Sequence, residues 1–363
     1  MHRVTRRAIL AGLPASLFAA SSSVKKTKPL PHVGEFVRFL DPVTETPVVR
    51  LTSLKSNSFL PAPSHRFVSV KDRFLVFSSD RAGALAPFQL DLRTGALTQL
   101  ARPRRLAPQS LCLNQKRTAL YFLDGDSLQE VTLANRKSRT IAEGVSGFSE
   151  LAESSPDGPN FLVVREQRLE TLLNASEPLA EGVENFCLAR PGGKGCLFLR
   201  AAPAGEQEFW YAPFPATPGA APALLAKGKV TNPVWMPSGE ALLFLREVQR
   251  PNGVLTTEIH SASPELRREQ RVATTTQFAA FSPNADASVF VGASRSKAQP
   301  TVLLLLPEVQ REMTLCEHRA SHPAAVSPVF SPDSKRVYFQ TDREGKSALY
   351  SVNVEALVES TPA

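Results

Sequence analysis

The chain has 363 residues, with 42 Lys and Arg against 34 Asp and Glu and a formal charge of +8. Apolar residues are 42% and charged residues 21%, a globular balance that excludes a disordered or fibrous chain. Thirty prolines and 19 glycines beside only three methionines break the chain into short pieces and argue against a helical bundle. No apolar run approaches the ~20 residues needed to span a bilayer.

The chain opens MHRVTRRAILAGLPASLFAASSS. Arg3, Arg6 and Arg7 precede a weakly apolar stretch from Ala8 to Ala20, and small residues follow. That is a secretory layout, and Thr5-Arg6-Arg7-Ala8-Ile9-Leu10 fits its twin-arginine form. The expected organisation is a signal peptide over 1–22, a linker over 23–34, a folded domain over 35–358 and a tail over 359–363. The expected location is periplasmic or extracellular. No block of Lys and Arg interleaved with aromatics appears, so nucleic acid is not an expected partner.

Beyond the leader, Pro47-Val48-Val49-Arg50-Leu51-Thr52 reads as an orphan strand. A full unit follows. Residues 66–69 and 73–78 are strands one and two, 87–92 is strand three, and Thr94-Gly95 turns the chain into strand four at 96–100. The cadence of strand, tight turn and apolar strand then recurs. It is seen at Leu113-Asn114-Gln115, Ser155-Pro156-Asp157-Gly158, Pro191-Gly192-Gly193, Trp235-Met236-Pro237-Ser238-Gly239, Phe281-Ser282-Pro283-Asn284 and Phe330-Ser331-Pro332-Asp333. The first and last copies align without a gap, Ser69 to Asp80 on Ser331 to Asp342.

Seven copies at a spacing of 35 to 49 residues match four-stranded propeller blades. The last copy lacks an evident fourth strand, and the orphan strand near the N-terminus can supply it. The reading is therefore an all-β fold, a seven-bladed β-propeller closed by an N-terminal strand added to the last blade. Asp80 and Asp342 sit in equivalent turns and are expected to hold them together. Trp210 and Tyr211 are expected to pack between blades.

The four cysteines, Cys112, Cys187, Cys196 and Cys316, form no C-x-x-C pair, so neither a zinc ribbon nor a thioredoxin motif is present. Cys187 and Cys196 flank a turn. They either pair in an oxidising compartment or serve as small buried hydrophobes. G-x-S-x-G, Walker and dinucleotide glycine motifs are absent.

The S-P-D/N turn between strands resembles the WD40-like blades of the TolB type. Two stretches narrow the likeness. Leu75-Val76-Phe77-Ser78-Ser79-Asp80-Arg81-Ala82-Gly83 with Leu90-Asp91-Leu92-Arg93-Thr94-Gly95 resembles the first blade of oligogalacturonate lyases. Leu315-Cys316-Glu317-His318, with Ser327 to Asp333 and Tyr338-Phe339-Gln340-Thr341-Asp342, resembles their last. The resemblance covers roughly residues 35–355. It implies cleavage of short pectin fragments by β-elimination. A divalent ion, manganese held by three histidines and a glutamine, would stabilise the developing charge, and a basic side chain would take the proton.

This sequence departs at those positions. The family's Q-x-x-H-x-H-P signature reads His322-Pro323-Ala324-Ala325-Val326-Ser327-Pro328, so the H-x-H pair falls on Ala325 and Ser327 and the glutamine on His322. The third metal histidine falls at Gln277 and Phe278. The motif carrying a catalytic histidine reads Leu245-Arg246-Glu247-Val248, with Arg246 on the histidine, and a further histidine is Asn232. No metal ligand is assigned, and manganese is expected only under the lyase reading. Arg246 is the candidate catalytic residue. Arg246, His318 and His322 are the candidate ligand-binding residues near one end of the channel. The plainer alternatives are solvated loop histidines, a surface arginine beside Glu247, and solvated lysines at Lys227 and Lys229.

Three functions follow from the resemblance. The first is a divergent or non-catalytic binder of acidic, pectin-type oligosaccharides. The second is an active oligogalacturonate lyase. The third is a TolB-like envelope scaffold with no small ligand. The expected partner is an acidic oligosaccharide or an envelope protein, and the expected state is a monomer without a membrane span.

Overall fold

The recurring turn is built by its own side chains. Ser331 Oγ accepts the Arg336 N–H at 2.9 Å and donates to Asp333 Oδ1 at 2.6 Å. In the first copy Ser69 Oγ accepts the Arg73 and Phe74 N–H groups at 2.8 and 3.0 Å. A short polar side chain thus satisfies backbone donors at both of these reversals, and the apolar strand that follows is free to enter a sheet.

The computed structural model describes residues 34–151, 159–172, 178–193, 195–214, 221–275 and 277–358. The expected signal peptide (1–22), the linker (23–34) except Gly34, the tail (359–363) and the Ser155-Pro156-Asp157-Gly158 turn lie outside the described residues. The described residues form seven antiparallel sheets, six of four strands and one of five. In chain order the blades span 58–99, 112–142, 147–181, 187–228, 230–275 and 278–317, with blade 7 formed by 329–353 and an N-terminal hairpin. Among the described residues no helix is long and apolar enough to cross a membrane.

Apolar clusters link each blade to the next. Tyr338 and Leu349 of blade 7 join Phe77 and Phe88 of blade 1 and Leu113 and Leu120 of blade 2. Tyr121 meets Phe161 edge-on at 4.8 Å between blades 2 and 3. Cys187 and Phe198 pack on Leu162 between blades 3 and 4. Phe209 meets Phe244 at 5.6 Å between blades 4 and 5. Phe290 packs with Leu243 between blades 5 and 6, and Val291 with Phe339 between blades 6 and 7. The contacts close a ring. Burying each such ring or branched side chain contributes about 1.5–3 kcal/mol.

The closing strand is Pro47–Arg50, antiparallel to Ala348–Asn353 with Val48 opposite Val352 and Arg50 opposite Tyr350. The sequence reading placed this strand correctly but ran it on to Thr52. It also missed the Val37–Leu40 strand that pairs with it as a fifth, outermost member. Asp41 fixes the hairpin, accepting the Val43 and Thr44 N–H groups and, on Oδ2, the Glu317 N–H of blade 6 at 3.0 Å.

Blade 1 departs from expectation at its first strand, which is Ser58–Phe59 paired with Ser78 and Ser79. The expected 66–69 segment returns to the sheet only at the Val68–Leu75 bridge. Between them Pro61 and Pro63 have no N–H for a ladder, so the chain leaves the sheet and carries His65 and Arg66 to the axis.

Candidate functional site

The first strand of each blade lines the axis, so the channel has two ends. The front is where first strands begin, and the back is where they turn into second strands. A cavity of about 370 Å³ opens at the front, between loops of blades 7, 1 and 2. Phe59, Gln109, Ser321, His322, Gln340 and Asp342 are among its lining residues. A smaller cavity of about 150 Å³ at the back is lined by His65, Arg66, Phe148, Glu150 and Trp235.

The front cavity is held by Asp342. Its Oδ1 accepts the Ser321 N–H at 2.9 Å, and its Oδ2 accepts the Ser321 hydroxyl. Burial works against this carboxylate, but the Ser321 bonds outweigh it and hold the group below the usual carboxylate range, with His322 adding to the effect. Asp80 makes the matching pair of bonds in blade 1, accepting the Asn57 N–H and side-chain amide at 2.8 Å each. Each aspartate clasps the loop leading into its own blade, where the sequence led to the expectation that it would brace its own turn. Gln340 completes the frame, accepting the Leu60 N–H and donating to the Ala325 carbonyl, both at 2.6 Å.

His322 lies in this cavity, exposed, and its ring has no hydrogen-bond partner among the described residues. His318 does not join it. It is fully buried, neither a solvated loop residue nor one that faces a ligand. Its Nε2 donates to the Ser294 carbonyl at 2.9 Å and its Nδ1 accepts the Ala320 N–H at 3.0 Å, which fixes a neutral tautomer. Burial pushes its pKa down, partly offset by the Ser294 bond. His318 therefore shapes the loop that carries His322.

Arg246 is elsewhere. It leaves the second strand of blade 5 outward, toward Glu269 on the fourth, and stacks on Phe244 with 5.7 Å to the ring centroid. Glu269 also contacts His260 Nδ1 at 2.7 Å, close but poorly aligned for a hydrogen bond, while His260 Nε2 lies 2.9 Å from Glu258. Lys227 and Lys229 reach Glu208 and Glu247 at 3.4 and 3.2 Å. Of the three expected site residues, His322 lines the front cavity, and His318 and Arg246 do not. Phe59 and Gln109 were missed. Their signal is slight, since Phe59 lies in the two-residue first strand of blade 1, Gln109 precedes that of blade 2, and neither belongs to a motif.

The residues do not fit a manganese site. Among the described residues no three His, Cys, Asp or Glu side chains converge as ligands would. Ala325 has no ligating atom, and Phe278 is wholly buried against Gly292. Gln277 Oε1 is taken by the Ser294 hydroxyl at 2.8 Å.

No family model matches the chain, and no curated protein does. Solved structures do. A manganese-bound oligogalacturonate lyase superposes with a TM-score of 0.75 at 20% identity, over 90% of this chain and 98% of that one. The oligogalacturonate lyase of Vibrio parahaemolyticus gives 0.73 at 17% identity over the same shares. The chain has the fold of the oligogalacturonate lyases. A looser match, at 0.53 and 14% identity over 80% of this chain and 95% of that one, is hydrazine synthase of Kuenenia stuttgartiensis, so the propeller alone does not specify chemistry.

The other sequence expectations resolve simply. All four cysteines are free and buried, Cys187 and Cys196 included. Tyr211 packs edge-on against Trp235 of the next blade at 6.2 Å, while Trp210 stacks on Phe198 within its own blade at 6.5 Å.

Proposed function

We propose that the protein is an exported propeller that binds acidic, pectin-type oligosaccharides without cleaving them. One observation carries this reading. A chain with the fold of the oligogalacturonate lyases has Ala325, Ser327 and the pair Gln277 and Phe278 where the resemblance implies ligating histidines, with Phe278 in the core and the Gln277 oxygen taken by Ser294. β-Elimination beside a uronate carboxylate needs a cation to hold the developing charge and a base to take the proton. Arg246, which stands at the base's position in sequence, is engaged by Glu269. Features of the front cavity support binding. It has an aromatic side chain at Phe59, a ring free to donate or accept at His322, and the amide of Gln109. Export rests on the Arg6-Arg7 leader.

The test is purified protein with trigalacturonate, with and without manganese. The expected result is no absorbance of unsaturated product in either condition, with calorimetric binding that His322→Ala weakens. Product formation would establish the lyase reading instead. Neither binding nor product would leave the envelope scaffold.

A further inference from the structure

A second groove opens on the front face, at blades 3 and 4, with a volume of about 630 Å³. Its lining includes the side chains of Gln167, Glu184, Asn185, Phe186 and Gln207. Among the described residues no lysine, arginine or histidine lines it. We infer that this groove binds uncharged, hydroxyl-rich saccharide units, separately from the cavity at His322.

The side-chain chemistry supports this class. A primary amide offers a donor and an acceptor a short distance apart, as a pair of neighbouring sugar hydroxyls does. Three amides meet here, and among the described residues none of the three has a hydrogen-bond partner. Phe186 supplies a half-buried apolar ring beside them, anchored on the core between blades 4 and 5. Among the described lining residues a uronate would find no cation to compensate its carboxylate and would meet Glu184. Arg200, beside Gly182, is committed to the Glu181 carbonyl at 2.8 and 3.1 Å and stacks over Trp210.

The backbone is set before any ligand arrives. The Val183 N–H donates to the Gln167 carbonyl and the Glu184 N–H to the Leu199 carbonyl, each at 2.9 Å, and the Phe186 N–H donates to the Glu184 carbonyl at 2.6 Å. These bonds pin the loop carrying Asn185 to both blades. Gln167 itself sits in a two-residue hairpin turn with φ of 47° at Glu166 and 61° at Gln167. Both positions favour glycine or asparagine. The chain accepts strain there and keeps an amide side chain at the groove.

The inference rests on the carbohydrate reading above but can fail apart from it. Calorimetry on the full chain with two probes, β-1,4-galactotriose and trigalacturonate, separates them. Galactotriose is expected to bind, Asn185→Ala to weaken it about fivefold, and His322→Ala to leave it unchanged. Gln167→Gly is the sharpest variant. It relieves the turn, so the unfolding midpoint should hold or rise while galactotriose affinity falls. No galactotriose binding, or binding indifferent to both groove variants, overturns the inference, whatever trigalacturonate does. Loss of trigalacturonate binding alone overturns only the acidic-ligand reading.

Discussion

Arg246 and Glu269 meet edge to edge, Nε to Oε1 at 2.6 Å and Nη2 to Oε2 at 2.7 Å. A guanidinium held in this bidentate way, across two strands of one blade, has little left for a substrate. Burial alone would raise the Glu269 carboxyl, but the close His260 ring and the bonds from Arg246 hold it below its ordinary range. Arg246→Met should therefore cost about 1–3 kcal/mol of stability in urea unfolding by leaving the carboxylate unpaired. Trigalacturonate affinity should not change. A large loss of affinity with intact stability would return Arg246 to the binding site.

The axial histidine predicts a pH dependence. Burial pushes His65 down to about 4, the Leu111 carbonyl opposes this, and Arg66 adds to it. Above about pH 6.5 folded and unfolded chains are both neutral there, and the stability is complete. As pH falls from 6.5 toward 4, the unfolded chain takes up a proton that the folded one refuses. Stability should decline by ~3 kcal/mol over that window. Urea midpoints between pH 7 and 4 should show a shallower fall for His65→Gln than for the parent. His318, shifted in the same direction, supplies part of what remains.

The aspartate clasp can be cut. Asp342→Ala removes both bonds to Ser321 and should cost about 1–2 kcal/mol. Because the same loop carries His322, trigalacturonate binding should weaken as well. Asp80→Ala should lower stability by a similar amount without affecting Ser321. Equal binding losses in the two variants would show that the clasp acts on the ring as a whole.

The thiols should be silent in the folded protein. Burial raises Cys187 well above its ordinary value and Cys196 to about 12. A thiol-exchange reagent should find no reactive group in the native state and four after unfolding without reductant. A count of two would mean that Cys187 and Cys196 pair after all.

The ring closure should be sensitive to Val48, which is 1% exposed and packs with Val352 and Tyr350. Val48→Asp should cost at least ~3 kcal/mol, read as a lowered thermal midpoint, whereas Val43→Asp on the exposed hairpin should change little.

The fold was legible because its signals are local and repeated. A Ser331 hydroxyl can only cap the turn beside it, so seven similar turns spell seven similar sheets. The site was legible only where the sequence lacked something, as at Ala325 and Phe278. The positions of Arg246 and His318 depend on distant partners. His318 is buried by Ser294 and by Thr341, whose hydroxyl donates to its carbonyl at 2.6 Å, and these lie 24 and 23 positions away. No local spacing shows which face of a strand will meet which neighbour. The split first strand of blade 1 was missed for the same reason, since Phe59 pairs with Ser78 across an excursion that two prolines force.

The Leu349 N–H donates to Thr52 Oγ1 at 3.0 Å across 297 positions of chain. The Pro47–Arg50 strand already has Val37–Leu40 on one side, but its other side waits for Ala348–Asn353. A product truncated before Ala348 would carry two raw sheet edges into the cell, ready to zip onto one another in other molecules. The ring is therefore held shut by two segments that can meet only after every intervening blade has been made.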